Sequence, residues 1–230
     1  MSAPPVELAI PLGGWLALLG GGEFTFGETE EADEAWLARV PEGPVGFLPT
    51  ASGSEEYPRH FAAYLADFCG RAVETIPVYR PRDARREKNA ERIAAVAAAY
   101  LGGGVAEHLV DTLRGTPALA ALERKLADGG VVVAIAAAAQ ACGSHFRGLR
   151  PGAPGEAGLG WLADTAVEAN FDPDRDRRLR QLVGPGGARV GLGIPEGGAL
   201  LLGPGGEFLT VGPVFRLSGA EAELEEIESE

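Results

Sequence analysis

Residues 129–143 read Gly-Gly-Val-Val-Val-Ala-Ile-Ala-Ala-Ala-Ala-Gln-Ala-Cys-Gly, and the way this stretch folds decides the rest. Gly129-Gly130 ends a helix, and the β-branched run from Val131 to Ile135 suits a strand buried on both faces. The alanines from Ala136 onward start a helix without crowding. A strand, a sharp turn and a helix in this order predict an elbow. Such a turn lifts one side chain above the strand ends, where hydrolases of layered α/β architecture keep a nucleophile. The lifted residue here is Ala136, whose methyl group has neither a lone pair nor a proton to give.

Working outward, further glycine-terminated strands flank the elbow. Trp15 to Leu19 is apolar and runs into Gly20-Gly21-Gly22-Glu23, a cluster that permits close backbone approach or positive φ. Val45 to Leu48 is closed by Pro49-Thr50-Ala51-Ser52, with Ser52 and Ser54 placed to cap a helix over 57–69. In that helix Tyr57, Phe61, Tyr64, Leu65 and Phe68 share a core face. A helix is also expected over 30–40, from the spacing of Ala32, Ala35, Trp36 and Val40. Ala72 to Val78 reads as a strand, followed by an exposed basic segment, Arg80 to Lys88. Ala97 to Leu101 is a strand ending at Gly102-Gly103-Gly104, with a helix over 105–113. Strands are expected over 189–194, 199–202, 208–211 and 214–217, and a Gly/Pro-rich loop over 148–160.

These blocks, in this order, resemble the dipeptidase E and cyanophycinase family of serine peptidases, part of the class I glutamine amidotransferase-like fold. Residues 129–139 are similar to the family's G-x-V-I-x-G-T-S-A-G-A elbow, with Ala136 at the serine and Ala134 and Ala138 at glycines. The G-G-G-E and P-T-A-S blocks fit, as does Gly102-Gly103-Gly104 with Leu109, Leu113 and Thr116. Gly158 to Leu162, Val167 to Phe171 and Arg178-Leu179 are similar to G-L-G-L-L, V-D-x-H-F and R-L. Gly193 to Ala199 is similar to G-I-D-E-x-T-A, keeping Glu196 and replacing the aspartate by Pro195.

The resemblance implies a three-layer α/β/α sandwich with a mostly parallel central sheet, serine peptidase ancestry and a homodimer. It also locates the departures. The family's base histidine is Asn170, whose carboxamide has no basic nitrogen to take a proton at neutral pH. A polar pair after the glycines is replaced by Val105 and Ala106. What the resemblance leaves is a vestigial oxyanion hole from the amides of Gly103, Gly104 and Ala137, with Glu168 and Glu196 as further cleft residues. Losing nucleophile or base costs on the order of a millionfold in turnover in serine hydrolases. The expectation is therefore a non-catalytic homologue whose cleft binds a small peptide or metabolite. The rival is a hydrolase of aspartyl or similar peptides working through displaced groups, with Cys142 and His145 as candidates.

Composition bounds the remaining possibilities. With 230 residues, 46% of them hydrophobic, the chain is long enough for one sizeable domain over 1–230. The acidic segment 220–230 is expected to fray or form a loose helix. A formal net charge of −13 and a pI near 4.7 argue against nucleic acid and anionic membrane as partners. No C-x-x-C pair or metal spacing occurs, so no metal and no cofactor are expected. Two isolated cysteines, with no secretory signal pattern, fit a reducing cytoplasm.

Overall fold

A computed structural model describes residues 4–149 and 155–229. The first part of the chain alternates strand and helix. β1 (Trp15–Leu19) leads to α1 (Glu30–Leu37), then β2 (Val45–Leu48), α2 (Tyr57–Cys69) and β3 (Val73–Thr75). Two helices follow, α3 (Pro81–Ala84) and α4 (Glu87–Ala95), then β4 (Ala98–Leu101), α5 (Ala106–Leu113) and α6 (Pro117–Ala127). The elbow stretch forms β5 (Val131–Ile135) and α7 (Ala137–Cys142). Beyond it come β6 (His145–Phe146), β7 (Glu156–Ala157), β8 (Thr165–Ala169) and α8 (Arg177–Leu182). The chain closes through β9 (Val190–Ile194), β10 (Ala199–Leu202), β11 (Phe208–Val211), β12 (Val214–Leu217) and β13 (Leu224–Ile227).

The central sheet has seven strands in the order β11-β10-β1-β5-β4-β2-β3. Five of them, β1 to β5, are parallel, and the hairpin of β10 and β11 extends the sheet antiparallel beside β1. Side-chain alternation sorts its two faces. Leu16, Leu18, Ala99, Leu101, Val132 and Ala134 share one core with α4 to α7. Ala17, Leu19, Tyr100, Val131, Val133 and Ile135 share the other with Trp36 of α1 and Phe61 and Leu65 of α2. Two apolar faces, each covered by helices, make the three-layer α/β/α sandwich.

A second sheet, unforeseen in the sequence, has the order β13-β12-β9-β8-β6-β7. Val167, Leu192 and Ile194 from its middle strands join the α4-to-α7 core, so it packs against the same side of the molecule as α7. The basic segment 80–88 is solvated as expected, with Arg80, Arg82, Arg85, Arg86 and Lys88 exposed, and it runs through α3 into the start of α4, whose Ala90 and Ile93 are buried. Two other expectations need correcting. The strand expected over 72–78 shortens to Val73–Thr75. The acidic tail does not fray, since Leu224–Ile227 pairs with β12 in the register Arg216↔Glu225. Of the loop expected over 148–160, residues 150–154 lie outside the described residues, and Glu156–Ala157 pairs with β6.

Candidate functional site

The site forms where β1 ends. The amide of Ala136 donates to the Leu19 carbonyl at 2.9 Å, and the amide of Asn170 donates to the Gly20 carbonyl at 2.7 Å. Two residues 34 positions apart in sequence thus hang from consecutive carbonyls at the carboxyl edge of the central sheet. The positions that resemble a peptidase's nucleophile and base are both tied by their amides to the end of β1.

Ala136 has φ 53° and ψ −116°, a conformation that L-residues rarely adopt because Cβ crowds the carbonyls. It is the geometry of a nucleophile elbow, kept by a residue that gains nothing chemical from it. Ala136→Gly is therefore expected to stabilise the fold by about 1 kcal/mol, the relief of positive-φ strain exceeding the added chain entropy. A shift of the urea midpoint to higher concentration checks this; a shift to lower concentration would mean that the turn is unstrained.

Asn170 also has positive φ, 49°, which ends the alternation of β8 and turns its side chain over Gly21. Gly21 itself has φ 137°, and a Cβ there would lie 2.0 Å from Asn170 Oδ1. Only glycine admits the carboxamide so close. The positions expected to form an oxyanion hole lie nearby. An added Cβ on Gly103 would lie 3.5 Å from the Ala136 Cβ and 3.8 Å from the Tyr57 hydroxyl. Gly104, with φ 149°, is pressed against the Pro49-to-Ser52 loop, and a Cβ would come within 2.4 Å of the Ala51 carbonyl carbon. Ala137 opens α7, so its amide has no intrahelical partner. Val105 donates its amide to Ala51 at 2.9 Å, and the Ala106 methyl is buried in the core.

Ser54 caps α2 by accepting from the amides of Glu56 and Tyr57, both at 3.2 Å, while Ser52 donates to the Pro49 carbonyl. That cap fixes Tyr57, which reads in the sequence as core and stands in the structure beside Gly103. Burial pushes its phenol above the ordinary tyrosine range, and a hydrogen bond from the Gly103 amide opposes the shift. Its position directly after the serine-rich turn was the available signal.

The two carboxylates of the expected cleft fare differently. Glu168 is buried, and burial pushes its carboxyl up against the opposing charges of Arg178 and Arg147. It therefore faces the α8 side of β8. Glu196 is exposed in the turn between β9 and β10, which is held over the first loop by the Gly197 amide donating to the Gly21 carbonyl.

The displaced pair does not assemble as a reactive thiol. Cys142 is fully buried, its Sγ donates to the Ala138 carbonyl at 3.3 Å, and burial drives the thiol well above its ordinary range. A thiol held protonated in an apolar core is a poor nucleophile. His145 Nδ1 lies 3.1 Å from Ser144 Oγ instead. No group of three or more metal-ligating side chains occurs among the described residues, and no described helix is long and apolar enough to cross a membrane.

A parallel sheet with a strained strand-to-helix elbow at its carboxyl edge defines a hydrolase-type α/β fold. The chain belongs to peptidase family S51, whose model matches residues 16–205, the dipeptidase E and cyanophycinase family of the sequence motifs. It is similar to a peptidase from an acI-B1 Actinobacterium, with 24% identity over 95% of this chain and 98% of that one, at a TM-score of 0.76. It is also similar to a peptidase E-type protein from Listeria monocytogenes EGD-e, with 16% identity over 86% and 98% of the two chains and a TM-score of 0.61. At these identities the likenesses establish the fold. No curated protein matches the chain.

Proposed function

We propose that this chain is a non-catalytic member of peptidase family S51 that keeps the family's cleft to bind a small peptide or metabolite, as a cytoplasmic homodimer. The observation that carries the reading is Ala136, an alanine in elbow geometry with Asn170 on the neighbouring carbonyl just beyond β1. A methyl group cannot attack a carbonyl, and a carboxamide cannot take up the proton such an attack would release. The donors that would cradle a bound carbonyl or carboxylate, the amides around Gly103 and Ala137, are main chain and do not depend on the lost side chains. With hydrogen-bond donors and no nucleophile, the cleft suits binding without turnover.

The test is an assay of the purified protein against aspartyl dipeptides, with a fluorophosphonate and iodoacetamide applied in parallel. The expected outcome is no turnover, no fluorophosphonate labelling, and iodoacetamide modification of exposed Cys69 alone until urea uncovers Cys142. Turnover abolished by Cys142→Ala would overturn the reading in favour of a displaced nucleophile. Sedimentation of the same sample measures the expected dimer.

A further inference from the structure

We propose that the groove between the turn at Phe24–Phe26 and α2 is a docking site for a basic, lysine- or arginine-bearing protein segment. The groove has a volume of about 1010 Å³, and its walls combine aromatic rings with carboxylates. Phe24, Tyr64 and Phe68 form a contiguous aromatic row, with centroids 5.1 Å apart for Phe24 and Tyr64, which are tilted at 42°, and 5.4 Å for Tyr64 and Phe68, which stack nearly parallel at 12°. Phe26 completes the wall and is 82% exposed, a large apolar side chain left in water at the tip of a short turn.

Glu30 and Asp67 lie at the same groove, and none of its lining residues is Lys or Arg. Ring faces carry negative electrostatic potential and attract cations, more so beside carboxylates. The row is also held in place from behind, because the Tyr64 hydroxyl donates to the buried Asp33 carboxyl at 2.9 Å. A ring fixed in advance loses little freedom when a ligand settles on it.

Charge decides between occupants. A second copy of this chain, with its net charge of −13, would bring another strongly acidic surface against Glu30 and Asp67. A basic segment meets the same carboxylates with opposite sign and offers alkyl stems to the rings. This surface does not depend on what the Ala136 cleft holds.

The experiment measures binding of a fluorophore-tagged hexalysine peptide by anisotropy, with hexaglutamate as the control, at low and physiological salt. Saturable binding of hexalysine alone is expected, weakened about fivefold or more by Phe26→Ala and again by Asp67→Asn. The distant pair Glu225→Gln with Glu226→Gln should change it less than twofold, which separates the groove from the general attraction of an acidic protein. Absence of saturable binding, or equal weakening by the distant pair, would overturn the proposal. So would conversion of a dimer to a monomer by Phe26→Ala, which would assign the groove to a second copy. Because Phe26 and Asp67 are exposed, both variants are expected to fold, and an unchanged thermal midpoint checks it.

Discussion

The double variant Ala136→Ser with Asn170→His is expected to react with a fluorophosphonate roughly a hundredfold faster than Ala136→Ser alone, while the unaltered chain does not react. The size of the gain is the contribution of a positioned general base, about 10² to 10⁴ in related chemistry. The reason to expect it is the way the site is held. Neither residue 136 nor residue 170 is positioned by its own side chain: residue 136 is fixed by its amide to the last carbonyl of β1, residue 170 to the Gly20 carbonyl just beyond it, and each has a positive φ. A serine hydroxyl at 136 would rise beside Gly103, and an imidazole at 170 would lie over Gly21, where no Cβ competes for the space. Val105 and Ala106 stay apolar, so full peptidase turnover is not expected, only activation of the nucleophile. Equal labelling of the single and double variants would show that residue 170 no longer reaches residue 136.

The second large effect concerns stability. Asp33 is fully buried and accepts hydrogen bonds from Thr29 Oγ1 at 2.7 Å, Trp36 Nε1 at 2.7 Å and the Tyr64 hydroxyl at 2.9 Å. Replacing it by alanine leaves three donors in the interior without an acceptor. At about 1 to 3 kcal/mol for each stranded group, the loss should reach about 4 kcal/mol, measured by urea unfolding. A cost below about 1 kcal/mol would mean that water replaces the carboxylate.

Asp33→Asn keeps one acceptor oxygen and should cost less. Its cost should also depend on pH. Burial raises the Asp33 carboxyl above its ordinary value of 3.8, against the opposing effect of its three hydrogen bonds. A folded-state value above the unfolded one contributes stability that is complete below the unfolded value and is lost as pH rises through the folded one. The penalty of Asp33→Asn is thus expected to be larger near pH 4 than at pH 7.

How much of this was readable beforehand follows from which signals are local. The central sheet was legible because most of its strands are short apolar runs closed by glycine or proline, and its parallel order follows from alternating strand and helix. Ala136, Asn170, Gly103 and Gly104 were legible as positions of a motif, and the structure adds that Ala136 and Asn170 bond to the end of β1 while Gly103 follows β4 and lies beside Ala136. The second sheet was not legible, because β6 and β7 are two residues each and half of β13 is glutamate. Their pairing depends on partners distant in sequence. Asp33 was not legible because a carboxylate on an amphipathic helix reads as solvated, and the Tyr64 hydroxyl that helps hold it comes from 31 residues away. α4 was hidden by its own charges, since the four residues before Ala90 include Glu87 and Lys88.

The glutamates of β13 acquire a different meaning once the strand is seen at the rim of a sheet. Its outer backbone would otherwise be open to any extended chain, including another molecule's. Glu225 and Glu226 face solvent there, and Thr210 and Ser229 tie the neighbouring segment to β11 of the central sheet. Like charges stacked at that rim would repel strand-to-strand growth. What composition presents as a loose acidic end is, in three dimensions, an ordered edge strand that carries its charges outward.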